Sequence, residues 1–213
     1  MVNWRVFFLL GFLSLATLVS AQNTVNYNLN AMVVQGEASG GAILSDDIGL
    51  GLGLGYDFPF ANPRYEFALK FDYVWMNIDY IADEDPANIS VMKGSINHFS
   101  ASGGLNIYLG NNHNMANLYR PFRPYLFVIA GLAYQSNNLE LSPNFSFPNV
   151  NGSLILPIAE FGAGAKIRIN PHWSFNAVIG FRSTFSDDVD GLLGTTAAPD
   201  IMGIVRIGVS KRL

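Results

Sequence analysis

Ile48-Gly49-Leu50-Gly51-Leu52-Gly53-Leu54-Gly55-Tyr56-Asp57-Phe58 puts every large apolar side chain on one side of an extended chain and only glycines and one aspartate on the other. Residues two apart share a face of a strand, so this period of two reads as β structure. A soluble sheet turns its apolar face to a core and a polar face to water. Here the face opposite the leucines is nearly empty, as the crowded interior of a narrow barrel requires, and the leucine face is free to meet lipid.

Seven further segments alternate in the same way. Strand one, Val25 to Gln35, sets Tyr27, Leu29 and Ala31 against Asn26, Asn28 and Asn30. Strand three sets Phe67, Leu69, Phe71, Tyr73 and Trp75 against Glu66, Ala68, Lys70 and Asp72. Strand four, from His98 to Leu109, has Phe99, Ala101, Leu105 and Ile107 opposite His98, Ser100, Asn106 and Tyr108. Strand five, Arg123 to Gln135, is apolar on both faces, and its orientation stays open. Strand six alternates Phe161, Ala163, Ala165 and Ile167 with Glu160, Lys166 and Arg168. Strand seven, Trp173 to Phe185, opposes Asn176, Gly180 and Arg182 to its aromatics, and strand eight, from Ile201, opposes Arg206, Ser210 and Arg212 to Val205, Ile207 and Val209. Eight is an even number, as expected of single-chain bacterial barrels. The expected fold is an all-β, eight-stranded antiparallel up-and-down transmembrane barrel.

Composition agrees. Half of the 213 residues are hydrophobic, 13% are charged, and mean hydropathy is +0.25, yet past the first twenty residues no apolar run approaches a membrane helix. Alternating strands bury apolar surface in lipid without producing such a run. At the N-terminus, Arg5, an apolar stretch from Val6 to Val19, and Val19-Ser20-Ala21 before Gln22 read as an export signal cleaved after Ala21. The expected division is therefore a signal peptide, 1–21, and one barrel domain, 22–213. The absence of cysteine leaves stability to hydrogen bonding and lipid burial.

The connections alternate between short (59–63, 170–172) and mostly long (36–47, 77–95, 136–156, 186–200). Short connections belong on the periplasmic side and long ones outside; 110–122 is long for its side. Twelve of the sixteen acids fall in or beside the predicted outer loops, among them the cluster Asp187, Asp188 and Asp190. That cluster lacks the glycine and distal glutamate of an EF-hand and reads as a solvated acidic loop. Arg64, Arg120, Arg123, Arg168, Lys211 and Arg212 gather toward the periplasmic rim, within reach of inner-leaflet phosphates.

The inward charges are the main chemical feature. Charges inside a narrow barrel persist only when paired. The reading is a salt-bridged plug in which Glu66, Asp72 and Glu160 meet Lys70, Lys166, Arg182 and Arg206, with Asp57, Arg168 and Arg212 as further lumenal residues. A narrow conducting pore is the alternative. His98-Phe99-Ser100 places a base and a hydroxyl on one face of a strand, the start of a lipid-modifying hydrolase, but no oxyanion arrangement accompanies it. No cofactor, metal or nucleotide site is read, and nothing points to nucleic acid.

Two stretches carry a family likeness. Pro157 followed by Ile158-Ala159-Glu160-Phe161-Gly162-Ala163-Gly164-Ala165-Lys166, and Gly180-Phe181-Arg182-Ser183-Thr184-Phe185-Ser186-Asp187 followed by Asp188, Val189 and Asp190, resemble small outer-membrane barrels of the Bacteroidota. More narrowly, they are similar to the domain-of-unknown-function family that contains PorG of type IX secretion. Arg123-Pro124-Tyr125 and Gly131 resemble a fifth strand shared by many eight-stranded barrels. The chain departs from the family in ending on Leu213 rather than an aromatic residue and in lacking a tyrosine between the loop aspartates. The resemblance implies a non-enzymatic protein of the bacterial outer membrane, structural or an accessory anchor. Its neighbours would be lipid, lipopolysaccharide and a periplasmic or secretion-machinery protein. A small channel for ions or hydrophobic solutes is the other function class.

Overall fold

In the computed structural model the described residues are 23–35, 48–82, 90–109, 121–141, 152–185 and 201–213. The expected signal peptide and the acidic cluster Asp187, Asp188 and Asp190 lie outside them, as does most of the long 110–122 connection. Eight strands close into one antiparallel barrel in chain order: β1 (Thr24–Gln35), β2 (Ile48–Pro59), β3 (Tyr65–Ala82), β4 (Ser90–Tyr108), β5 (Phe122–Leu141), β6 (Gly152–Arg168), β7 (Trp173–Ser183) and β8 (Ile201–Arg212). β1 pairs with β8 from Thr24↔Arg212 to Gln35↔Ile201, which removes both sheet edges.

The faces follow the alternation. Leu29, Leu52 and Ile179 are each more than 60% exposed and point outward, while Glu160 and Arg182 are at most 1% exposed. A soluble barrel of the lipocalin kind would invert these faces. An exterior this apolar has no stable arrangement in water, and it matches a lipid-facing band. Aromatic pairs join neighbouring strands, Phe58–Phe67 near the periplasmic end and Tyr73–Phe99 midway along the β3–β4 ladder.

Short turns mark the periplasmic end. Asn170 Oδ1 accepts from the backbone N–H of His172 and Trp173, both at 2.9 Å, and closes the β6–β7 turn as an Asx motif. Leu213 N donates to Asn23 O at the same end.

Four strands are longer than their apolar alternation suggests. β3, β4, β5 and β6 run 18, 19, 20 and 17 residues against 11 or 12 for the others. At about 3.3 Å per residue and a tilt of about 40°, twenty residues rise about 50 Å, roughly twice the ~25 Å apolar band. The segments expected as loops, 77–95 and 136–156, are therefore in large part paired strand: Asn77↔Ser95, Asn97↔Ser136 and Asn137↔Gly152 continue the ladders. Once above the lipid, a strand needs backbone partners but no apolar face, so polar residues carry it. β7, by contrast, ends at Ser183, and Phe185 leaves the strand with a φ of 53°.

The open orientation of strand five resolves with Tyr125, Phe127 and Ile129 inside and Leu126, Val128 and Leu132 outside. Room for these rings comes from glycine: a Cβ on Gly164 would sit 2.4 Å from Tyr125 Cζ, and one on Gly162 2.9 Å from Phe127 Cε1.

Candidate functional site

The lumen is filled by three successive layers. The periplasmic layer is centred on Glu66 and Asp57. Lys166 Nζ reaches Asp57 Oδ2 at 2.7 Å and Glu66 Oε2 at 2.9 Å, linking β6 to β2 and β3 across the interior. Tyr108 donates its hydroxyl to Glu66 Oε2 at 2.7 Å, and Arg123 Nη2 pairs with Glu66 Oε1 at 3.2 Å. The Arg123 guanidinium also lies 3.7 Å from the Tyr108 ring centre. Asn26 donates to Asp57 Oδ2 at 2.8 Å.

The middle layer is built around Arg182. Its Nε donates to Glu160 Oε1 at 2.8 Å, and its Nη2 meets Glu160, Asp72 Oδ2 at 3.2 Å and Ser100 Oγ at 3.2 Å. Arg206 Nη2 reaches both Asp72 Oδ2 and Glu160 Oε1 at 2.9 Å. Two acids from β3 and β6 thus face two guanidiniums from β7 and β8, and the planar forks of arginine suit this shared geometry. The empty face of β2 is what admits the group. A Cβ on Gly53 would stand 2.4 Å from Asp72 Oδ1 and 2.9 Å from Asn30 Nδ2, two atoms that are hydrogen-bonded to each other at 2.9 Å.

The outer layer is largely apolar, with Gln135 donating to Asn137 Oδ1 at 3.0 Å as its polar part. Met32, Val74, Met76, Ile96, Leu156 and Met202 are buried together and cap the charged layers toward the extracellular end.

Of the sequence candidates, the structure brings Glu66 and Lys166 together in the first layer, and Asp72, Glu160, Arg182 and Arg206 in the second. Lys70 departs from the expected plug: its Nζ has no hydrogen-bond partner among the described residues and sits 4.5 Å from the centre of the Phe127 ring. The carboxylates beside it on β3, Glu66 and Asp72, are engaged by cations reaching across from β5, β6, β7 and β8. Arg123, expected at the rim against lipid phosphates, is instead 7% exposed and paired inside, because the inward register of β5 carries it into the lumen. Arg168 does lie at the periplasmic end, donating from Nε to Asn170 O at 3.2 Å. Tyr108 is on the inward face in sequence, but its role as a hydrogen-bond donor to Glu66 depends on contacts across the barrel.

His98 and Ser100 do not form a base–nucleophile pair. Arg182 donates from Nη1 to His98 Nε2 at 2.8 Å and from Nη2 to Ser100 Oγ. Arginine only donates, so Nε2 must accept and the proton sits on Nδ1, facing Gln135 Oε1 at 3.5 Å. The imidazole is a neutral rung in the network.

No family model and no curated protein matches the chain. Solved structures do. Neisserial surface protein A is similar with a TM-score of 0.57 at 13% identity, over 91% of this chain and 98% of that one. The attachment invasion locus protein Ail of Yersinia pestis, in complex with the heparin analogue sucrose octasulfate, gives 0.53 at 14% identity, over 90% and 98%. A major outer membrane protein of Thermus thermophilus gives 0.52 at 12% identity, over 90% and 99%. The likeness is one of fold. Together with the apolar exterior and buried charge it decides the class.

The chain is an eight-stranded outer-membrane β-barrel. Its place is the bacterial outer membrane, and its outward side chains are the lipid contact surface.

Proposed function

We propose that this barrel is a non-enzymatic structural or anchoring protein with a closed interior. The observation that carries the reading is the filled lumen: two ion-paired layers and a largely apolar cap occupy its cross-section, and the His98–Ser100 pair is consumed by Arg182. A conduit for ions needs a continuous wet path, and buried pairs stapled across the barrel oppose one. Reconstituted in planar bilayers, the protein is expected to show no conductance above background; steady single-channel steps would replace this reading with the channel.

The finer reading is an accessory anchor of type IX secretion. The resemblance of residues 157–190 supports it, as does the connection 109–121, which is longer than the other two at its end, 60–64 and 169–172. Affinity purification from native outer membranes in mild detergent, with crosslinkers placed in 110–120, tests it. Co-elution of secretion-machinery proteins is expected, and recovery of the barrel alone removes the type IX reading while leaving the structural barrel.

Charge narrows the outer partner. The Ail structure was solved with a sulfated heparin analogue. In this chain twelve of sixteen acids fall in or beside the outer connections, with Lys93 as the only basic residue there, so a polyanion meets like charge. The outer end suits cationic or cation-bridged surfaces instead.

A further inference from the structure

The periplasmic mouth of the lumen is a recess whose lining includes Arg123, Lys166, Arg168, His172, Ser174 and Arg212 and contains no carboxylate side chain. The sequence deepens this asymmetry. Twelve of the sixteen acids fall in or beside the connections expected on the outer side, and the other four are the lumenal Asp57, Glu66, Asp72 and Glu160. The connections 60–64, 109–121 and 169–172 and the ends 23–24 and 211–213 hold Arg64, Arg120, Lys211 and Arg212 without a single aspartate or glutamate.

A second observation concerns Arg123, which lines the recess. Arg123 is 7% exposed and spends its Nη1 and Nη2 on Glu66, yet its buried Nε has no hydrogen-bond partner among the described residues. A buried charged donor left unmade is costly, and the group that satisfies it best is an anion. Arg168 and Arg212, on β6 and β8, flank the opening, and Ser174 on β7 adds a hydroxyl. The geometry points to a binding site for one phosphate-type oxyanion at the periplasmic mouth, inside the barrel rim rather than on its lipid-facing wall. Three guanidiniums, those of Arg123, Arg168 and Arg212, line this recess, and guanidinium donors suit a tetrahedral oxyanion. Its source is either a soluble phosphate or the headgroup of an inner-leaflet lipid bending over the rim.

The test uses the full chain purified in a maltoside detergent, with nitrogen-labelled arginine. Inorganic phosphate is titrated against chloride at constant ionic strength while the Arg123 Nε–H signal is followed by NMR. Saturable movement of that signal is expected, and Arg168→Gln and Arg212→Gln are each expected to weaken the apparent affinity about tenfold. Arg64→Gln, outside the recess, is expected to leave it unchanged. If phosphate is silent in detergent but the signal moves in phosphatidylglycerol nanodiscs, and the two rim variants abolish that movement, the oxyanion is a lipid headgroup. The proposal is overturned if neither source moves the signal, or if Arg64→Gln weakens the response as much as the rim variants. Heat-shifted gel mobility establishes that each variant is folded.

Discussion

Replacing Arg182 by methionine is expected to destabilise the barrel by about 3–5 kcal/mol, the usual cost of stranding a buried charge. Arg182 is fully buried and serves Glu160, Asp72, His98 and Ser100 from one guanidinium. Glu160 and Asp72 share two guanidiniums, with the Lys70 ammonium acting on Glu160 from further off, and the substitution leaves Arg206 as the one ion-pair partner of both acids among the described residues. Methionine retains much of the volume, so the loss is electrostatic rather than a cavity. Urea unfolding in liposomes, read by tryptophan fluorescence, measures it. Adding Glu160→Gln removes the charge of the acid that Arg182 held most closely while keeping the Asp72–Arg206 pair, and the double variant is expected to recover at least half of the loss. Arg168→Gln, at the rim, is expected to stay within about 1 kcal/mol of the wild type. An Arg182→Met protein within that same margin would show that the network orders the lumen without stabilising it.

The barrel was legible because its decisive signal is local. Period two with lipid-sized side chains on one face needs no knowledge of the partner strand, and Leu50, Leu52 and Leu54 face outward as their alternation requires. Strand five was illegible for the same reason: with apolar residues on both faces, periodicity holds no vote, and only the space left by Gly162 and Gly164 shows that Tyr125 and Phe127 belong inside. Strand length above the membrane was hidden too, since the alternation ends with the lipid while the hydrogen-bond ladder does not. In the lumen, sequence supplies which charges point inward but not which meet. Lys166 is 109 and 100 residues from its partners Asp57 and Glu66, and Arg123 joins them only because β5 turns it inward. Lys70, one of seven charges read as a plug, faces an aromatic ring because cations from across the barrel reach its neighbouring acids first.

The glycine face of β2 allows the sharpest separation of two roles. Gly51 and Gly55 lie on one strand and one face, but an added Cβ meets different neighbours. At Gly51 it would stand 1.9 Å from the backbone oxygen of Tyr73 and 2.7 Å from Val74 Cα, so β2 and β3 cannot keep their approach. At Gly55 the nearest atoms are the Asn26 amide nitrogen at 3.1 Å and its Cβ at 3.2 Å, so a side chain held by Asp57 must give by only a few tenths of an ångström while the β2–β3 backbone keeps its place. Both substitutions gain the ordinary advantage of alanine over glycine in a strand, about 0.5–1 kcal/mol. Gly51→Ala is nevertheless expected to lose about 3 kcal/mol, at the upper end of overpacking, because backbone rather than side chain must move. Gly55→Ala is expected to remain within about 1 kcal/mol of the wild type, since its gain offsets a small adjustment of Asn26. Refolding yield into liposomes and urea midpoints for the two variants, measured side by side, decide the matter. Equal behaviour would mean that the β2–β3 approach relaxes freely, and that these glycines serve only to leave room for Asp72 and the asparagines of β1. A large loss confined to Gly51 would locate there a close backbone contact that closing so narrow a barrel requires.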